Sequence, residues 1–364
     1  MGKLIIFNCD GVRIANLALV NTAGVLLWRV HGSLIIHDTF FSSSAALQLQ
    51  GCNVISVIAN NFTNSPGLLL SNVSNITIAS NIFNGGGISD PSLPFTYDGL
   101  VYHNNFINIP SCCSLNDAIG WRWDNGYPGG GNYYSDYSGI DNCSGPSQNI
   151  CPNPDGIWDR PNPNSMLDRY PLARPFSPAS DTAAPTWQSN PTLTASNIGS
   201  DSVTLSSSAA QDDVEVIVYR IDLGTTSIAY VPARYHSYHI TGLSAGTVYT
   251  FKVDAGDASN YWTASGPSTT VTTAGGTASL LELVAIIAGL GILGSVIGLL
   301  GWKRYGRKRL NQGSGRRGLE PSSSIAHGVG GLFARPSLQL PIEFRDLTEA
   351  VPKSQLHHLG DLLK

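Results

Sequence analysis

The sequence predicts an all-β protein, a right-handed parallel β-helix followed by a β-sandwich, with one C-terminal transmembrane helix. Three observations carry this. Side chains recur every 21 to 23 residues up to about residue 110, short period-2 runs return between residues 181 and 275, and residues 283–302 contain no charged side chain.

In the first region a polar residue stands at Asn16, Asp38, Asn60, Asn81 and Asn104, an apolar one at Ile5, Leu26, Leu47 and Leu68, and an aromatic one at Phe40, Phe62, Phe83 and Phe106. Short β-prone runs lie between these columns, broken by Gly, Asn and Ser. Leucine-rich repeats share the period, but their Leu-x-x-Leu-x-Leu spacing and helical half-turn are missing. Stacked coils of two or three strands, each pairing with the coils above and below, fit the columns over residues 1–120. The first residues carry a hydrophobic run of only four residues, short of a signal peptide, so coils are expected to be missing ahead of Met1.

The polar column has two readings, an amide ladder running up the stack or a ligand-binding stripe, and recurrence in every coil favours the ladder. Acceptor sequences for N-glycosylation begin at Asn61, Asn72, Asn75 and Asn142. Residues 85–99 read as an insertion looping out of one coil. Residues 121–137 then mix Trp and Tyr with Gly and Pro, which excludes a regular helix and suits a cover over the open end of a solenoid.

Here the chain resembles the end of NosD-like right-handed β-helix proteins, through Asp124-Asn125-Gly126-Tyr127-Pro128, Gly130-Gly131-Asn132-Tyr133, Ser135-Asp136-Tyr137, Asp155-Gly156-Ile157 and Asp168-Arg169-Tyr170-Pro171-Leu172. The resemblance covers roughly residues 1–176 and implies a β-helix capped over residues 121–178, on a cell surface or in a periplasm. The founding branch is linked to copper-centre maturation, but no Cys/His/Met cluster with ligand spacing supports carrying that role over.

Within the cap, Asp141, Asn153, Asp155, the Ile157 carbonyl and Asp159 offer hard oxygen ligands of the kind Ca²⁺ takes. The loop departs from the EF-hand, with Cys151 where the first Asp would stand and no Glu at the twelfth position. Calcium site and hydrogen-bonded turn both stay open. Cys143 and Cys151 flank the loop, and a disulfide between them suits an extracellular protein, although the adjacent Cys112 and Cys113 leave the pairing unfixed by sequence.

After a linker at residues 181–185, five or more period-2 strands fall in about ninety residues. Residues 240–253, Ile-Thr-Gly-Leu-Ser-Ala-Gly-Thr-Val-Tyr-Thr-Phe-Lys-Val, resemble a fibronectin type III domain, with Tyr249 at the tyrosine corner. Ser207 stands where that family places a core Trp, so Trp187 or Trp262 is expected to fill the core. The resemblance implies a spacer between the β-helix and a membrane.

At 1.5 Å per residue, the twenty residues 283–302 make a helix about 30 Å long, enough to cross a hydrocarbon core. Lys303, Arg304, Arg307, Lys308 and Arg309 follow at once, which places residues 303–364 in the cytoplasm. Lys and Arg number 10 against 19 Asp and Glu before residue 279, and 11 against 5 after residue 302. An acidic outside argues against nucleic acid as a partner. Gly294 and Gly298 form a small-xxx-small pair that would let two such helices dimerise, and the Gly/Ser/Arg-rich tail reads as largely disordered.

The expected function is that of a non-enzymatic surface protein in adhesion, glycan binding or envelope architecture, with surface glycans or other surface proteins as partners. The rival is a polysaccharide lyase, epimerase or hydrolase. Such chemistry needs paired carboxylates or a base with a cation cluster, whereas Asp10, Asp38, Asp90 and Asp98 before residue 110 do not recur at the coil period. Coils ahead of Met1 would then hold that site. A periplasmic metal-maturation factor is a third alternative, resting on the family likeness alone.

Overall fold

The computed structural model describes residues 2–90, 96–109, 113–115, 118–162, 168–177 and 181–276. The expected transmembrane segment, the tail, Gly294 and Gly298 lie outside them, and no helix among the described residues is long and apolar enough to cross a membrane. Residues 2–276 fall within one compact unit, so the packing of the solenoid against the sandwich can be described directly.

The first region is a parallel β-solenoid with three sheets. The first stacks the early half of Val25–Ile36 on Leu47–Gln50, Leu68–Ser71, Ile88–Asp90 and Cys113–Leu115. The second runs from Arg13–Ala15 through the late half of Val25–Ile36 to Asn53–Ile58, Ser74–Ala79, Thr96–Tyr102 and Ala118–Ile119. The third joins Ala18–Val20, Thr39–Phe41, Asn61–Thr63, Ile82–Asn84, Asn105–Ile107 and Tyr133–Tyr134.

The aromatic column forms as expected. Phe40, Phe62, Phe83 and Phe106 stack with centroids 4.8, 4.8 and 5.2 Å apart, and Tyr134 of the cap continues the stack at 5.3 Å. The apolar column is one residue off at its start. Leu47 lies between Val25 and Leu68, while Leu26 pairs with Ile5 and Gln48 and points outward. The inward column is Leu4, Val25, Leu47, Leu68 and Ile88. Because side chains alternate across a strand, a slip of one residue exchanges the two faces.

The second region is a β-sandwich. Leu193–Ser196, Val203–Ser207 and Ser237–Ile240 form one antiparallel sheet, and Thr226–Pro232, Val216–Leu223, Val248–Asp257 and Ser268–Thr272 the other. Tyr249 Oη accepts the backbone N–H of Ser244 at 2.9 Å, the expected corner. Trp187 packs on the core between the sheets, 5.9 Å from the Tyr219 ring. Trp262 lies outside it, over Tyr230 and Arg220.

The sandwich is not an end-on spacer. The second sheet of the solenoid is apolar on its outer face as well, where Leu34, Ile36, Ile58, Ala79, Leu100 and Tyr102 form one buried cluster with Ile217, Val218, Tyr230 and Ala258 of the sandwich. Polar groups rim this contact. Tyr235 Oη donates to Asp98 Oδ2 at 2.6 Å and lies 2.8 Å from Asn75 Oδ1, and Arg234 Nη2 donates to the carbonyls of Ile76 and Asp98. His37 Nε2 lies 2.7 Å from the Ala258 carbonyl, and Arg13 Nη2 donates to Asn260 Oδ1 at 2.9 Å. A sheet buried on both faces needs near-continuous apolar strands, which residues 34–36 and 100–102 are.

Leu47 is fully buried and Gln48, its neighbour, faces outward beside Lys3. Leu47→Asp should therefore cost several kcal/mol, and Gln48→Asp should leave thermal melting almost unchanged. Equal melting temperatures for the two variants would contradict this register.

Candidate functional site

The polar column is a ladder, and it starts one coil later than the period implies. Asn16 is exposed and aligned with His37, in a column of left-handed corner residues that includes Asn16 (φ 60°), His37 (57°), Ala59 (52°), Ser80 (60°) and His103 (56°). The ladder itself begins at Asp38, whose Oδ1 accepts the Leu17 N–H at 2.7 Å. From there each side-chain oxygen accepts the backbone N–H of the preceding rung, Asn60 from Asp38, Asn81 from Asn60 and Asn104 from Asn81. Each Asn Nδ2 donates to a carbonyl of the preceding coil, Ile35, Val57 or Ile78. Each left-handed corner costs an ordinary residue about 1–2 kcal/mol, and the ladder bonds beside it offset that. All rungs are buried, which excludes a solvent-facing ligand stripe.

The cap motif prolongs the ladder. Asn132 Oδ1 accepts the Asn104 N–H, and Asp168 Oδ2 accepts the Asn132 N–H at 2.7 Å and the Tyr134 hydroxyl at 3.2 Å. A Cβ on Gly131 would overlap the Asp168 carboxylate, so only glycine fits there. Asp124 is gripped by Arg169 through Nε at 3.0 Å and Nη2 at 2.7 Å. Burial pushes the Asp124 carboxyl up, but these bonds hold it below the usual range. Burial pushes Asp168 up to about 7 against the pull of its donors. The motif residues are thus structural, closing the stack beneath Trp121 and Trp123.

In the acidic loop the carboxylates are spent on backbone N–H groups. Asp141 accepts from Asp155 at 3.0 Å and Gly156 at 3.1 Å, Asp155 from Ile157 at 3.1 Å, and Asp159 from Asn142 and Cys143. Asn153 Nδ2 donates to Ser144 Oγ at 2.7 Å. These bonds are those of a hydrogen-bonded turn. Cys143 and Cys151 are joined by a disulfide. Of the glycosylation asparagines, Asn72 and Asn142 are exposed, Asn61 is half-buried and bonded to Thr63, and Asn75 is engaged by Asn53 and Tyr235. A glycan on Asn75 would have to break the contact between solenoid and sandwich.

A cleft of about 620 Å³ opens where solenoid, cap and sandwich meet. Thr77, Tyr102, Asn125, Gln211, Glu215 and His236 line it. Asn125 Nδ2 donates to Glu215 Oε1 at 2.8 Å, and His103 Nδ1 lies 3.5 Å from Glu215 Oε2. Burial first, then the Glu215 charge, push the Tyr102 phenol well above its usual value, so it stays a hydroxyl that can donate. The cleft went unread in the sequence because its walls lie far apart along the chain. The one available signal was the apolar outer column of the second sheet, which demands a covering element.

No family model and no curated protein matches this chain. Solved structures that align with it include FN3tt, at 20% identity over 26% of this chain and all of that one, TM-score 0.22. The fibronectin type-III domain of human fibronectin type III domain containing protein 3 aligns at 20% over 27% of this chain and 94% of its own, TM-score 0.22. Chitinase ChiA74 from Bacillus thuringiensis aligns at 23% over 44% and 21%, TM-score 0.22. At these scores the alignments carry no functional argument.

Asp38 Oδ2 is buried without a hydrogen-bond partner, and burial pushes the carboxyl up to about 6. A carboxyl that binds its proton more tightly folded than unfolded destabilises the fold as pH rises from about 4 to about 6, and that cost is fully present above. It amounts to about 3 kcal/mol. Asp38→Asn keeps the acceptor for Leu17, so it should raise the melting temperature at pH 8 and flatten its dependence between pH 4 and 8. A variant as pH-dependent as the wild type would contradict this.

Proposed function

We propose that the chain is a non-enzymatic, single-pass surface protein, with solenoid and sandwich outside the cell and residues 303–364 in the cytoplasm, serving adhesion, glycan binding or envelope architecture. The reading includes kinship with NosD-like right-handed β-helices for the head, a fibronectin type III domain for the sandwich, a membrane helix at residues 283–302 able to pair through Gly294 and Gly298, and glycans at Asn72 and Asn142. One observation carries it furthest: the apolar cluster that fuses solenoid and sandwich builds a fixed cleft lined by amide, hydroxyl and aromatic groups, the set that meets saccharide hydroxyls and ring faces.

The test uses cells displaying the full chain. Added protease should remove the head and spare the tail, and labelled surface polysaccharides should bind. Ala209→Trp, from an exposed position on the cleft wall, should abolish that binding without lowering display. Binding that survives the filled cleft would overturn the cleft assignment, and new reducing or unsaturated ends on the polysaccharide would favour the enzymatic alternative.

A further inference from the structure

Three carboxylates far apart in sequence meet on the sandwich. Asp181 precedes its first strand, Asp212 follows Ala210–Gln211, and Asp257 ends Val248–Asp257. One oxygen from each lies within 4.8 Å of those of the other two.

Each residue commits one oxygen to its own turn. Asp181 Oδ1 accepts the Ala183 N–H at 3.2 Å, Asp212 Oδ2 those of Val214 and Glu215 at 3.0 and 2.8 Å, and Asp257 Oδ1 that of Tyr261 at 2.9 Å. The second oxygens, Asp181 Oδ2, Asp212 Oδ1 and Asp257 Oδ2, are buried with no hydrogen-bond partner. Asp257 is 1% exposed and Asp181 6%. Among the described residues the arginines and lysines of this domain pair elsewhere, Arg220 with Asp222 and Asp254, Lys252 with Asp254, and Arg234 with Asp98. Buried polar groups normally find partners, and like charges this close repel unless a cation intervenes.

We infer that Asp181, Asp212 and Asp257 bind a divalent cation, with Ca²⁺ the ion that this all-oxygen, all-carboxylate set fits. The cation also has a structural consequence. The loop after Asp257 supplies Ala258 and Asn260 to the solenoid contact, and the turn at Asp212 presents Glu215 to Asn125. Binding would tie the start of the sandwich to both loops and so stiffen the head. The inference is independent of the saccharide reading, since it concerns metal affinity alone.

The test measures thermal melting of the full-length protein in detergent, stripped with chelator and then titrated with Ca²⁺ alone. Extracellular modules bind with Kd of about 10⁻⁴–10⁻³ M, so melting should rise and saturate at millimolar Ca²⁺. Asp257→Asn and Asp212→Asn should abolish the rise, yet melt without calcium at least as high as the stripped wild type, because each relieves repulsion. Asp155→Ala, in the cap loop, should keep the rise. A wild type indifferent to Ca²⁺ in both melting and direct calorimetric titration would overturn the inference. So would a rise that survives in both Asn variants, or one abolished by Asp155→Ala alone.

Discussion

The rest of the structure depends on the buried ladder from Asp38 to Asp168. A parallel coil must turn its corners, and here the second sheet hands over to the third through a left-handed residue at each level. That corner leaves backbone N–H groups inside the protein, where an unpaired donor costs about 1–3 kcal/mol. An asparagine on the next residue accepts one such N–H and donates to a carbonyl of the preceding coil. Every coil that uses this solution must put its amide at the same height, which fixes the corner and, through it, the Phe stack of the third sheet. The cap is the ladder's ending. Asp168 terminates it with a carboxylate, and Gly131 is the residue small enough to let that carboxylate in.

Much of this was legible. The period, the aromatic column, four of the five polar rungs and the tyrosine corner are local patterns, and they form as read. The errors are equally physical. Asn16 and the pair Ile5 and Leu26 kept the period but lay one residue out of phase, because coil lengths vary and the phase is set by backbone pairing, which a count of spacings does not contain. The acids of the cap loop, which cluster in sequence, accept backbone N–H groups of their own turn, whereas Asp181, Asp212 and Asp257, separated by tens of residues, converge in a way that no run of sequence shows.

The sandwich is the part whose role changes most. As a spacer it would need contacts only at its ends. Instead it lies along the second sheet and buries Ile58, Tyr102 and their neighbours, each such apolar side chain contributing about 1.5–3 kcal/mol. Solenoid and sandwich thereby share one buried apolar cluster, and both wall the cleft beside it.

That union is the central claim, and hydrogen exchange of the full-length protein and of Ile58→Glu tests it most directly. Ile58 points out of the solenoid into the shared cluster, away from the inward column, so the charge strikes the contact while the Phe stack keeps its neighbours. If the two domains are one body, amides of Val216–Leu223 and Thr226–Pro232 in the sandwich should lose protection in the variant. Unchanged protection there, with loss confined to the coil around residue 58, would contradict it.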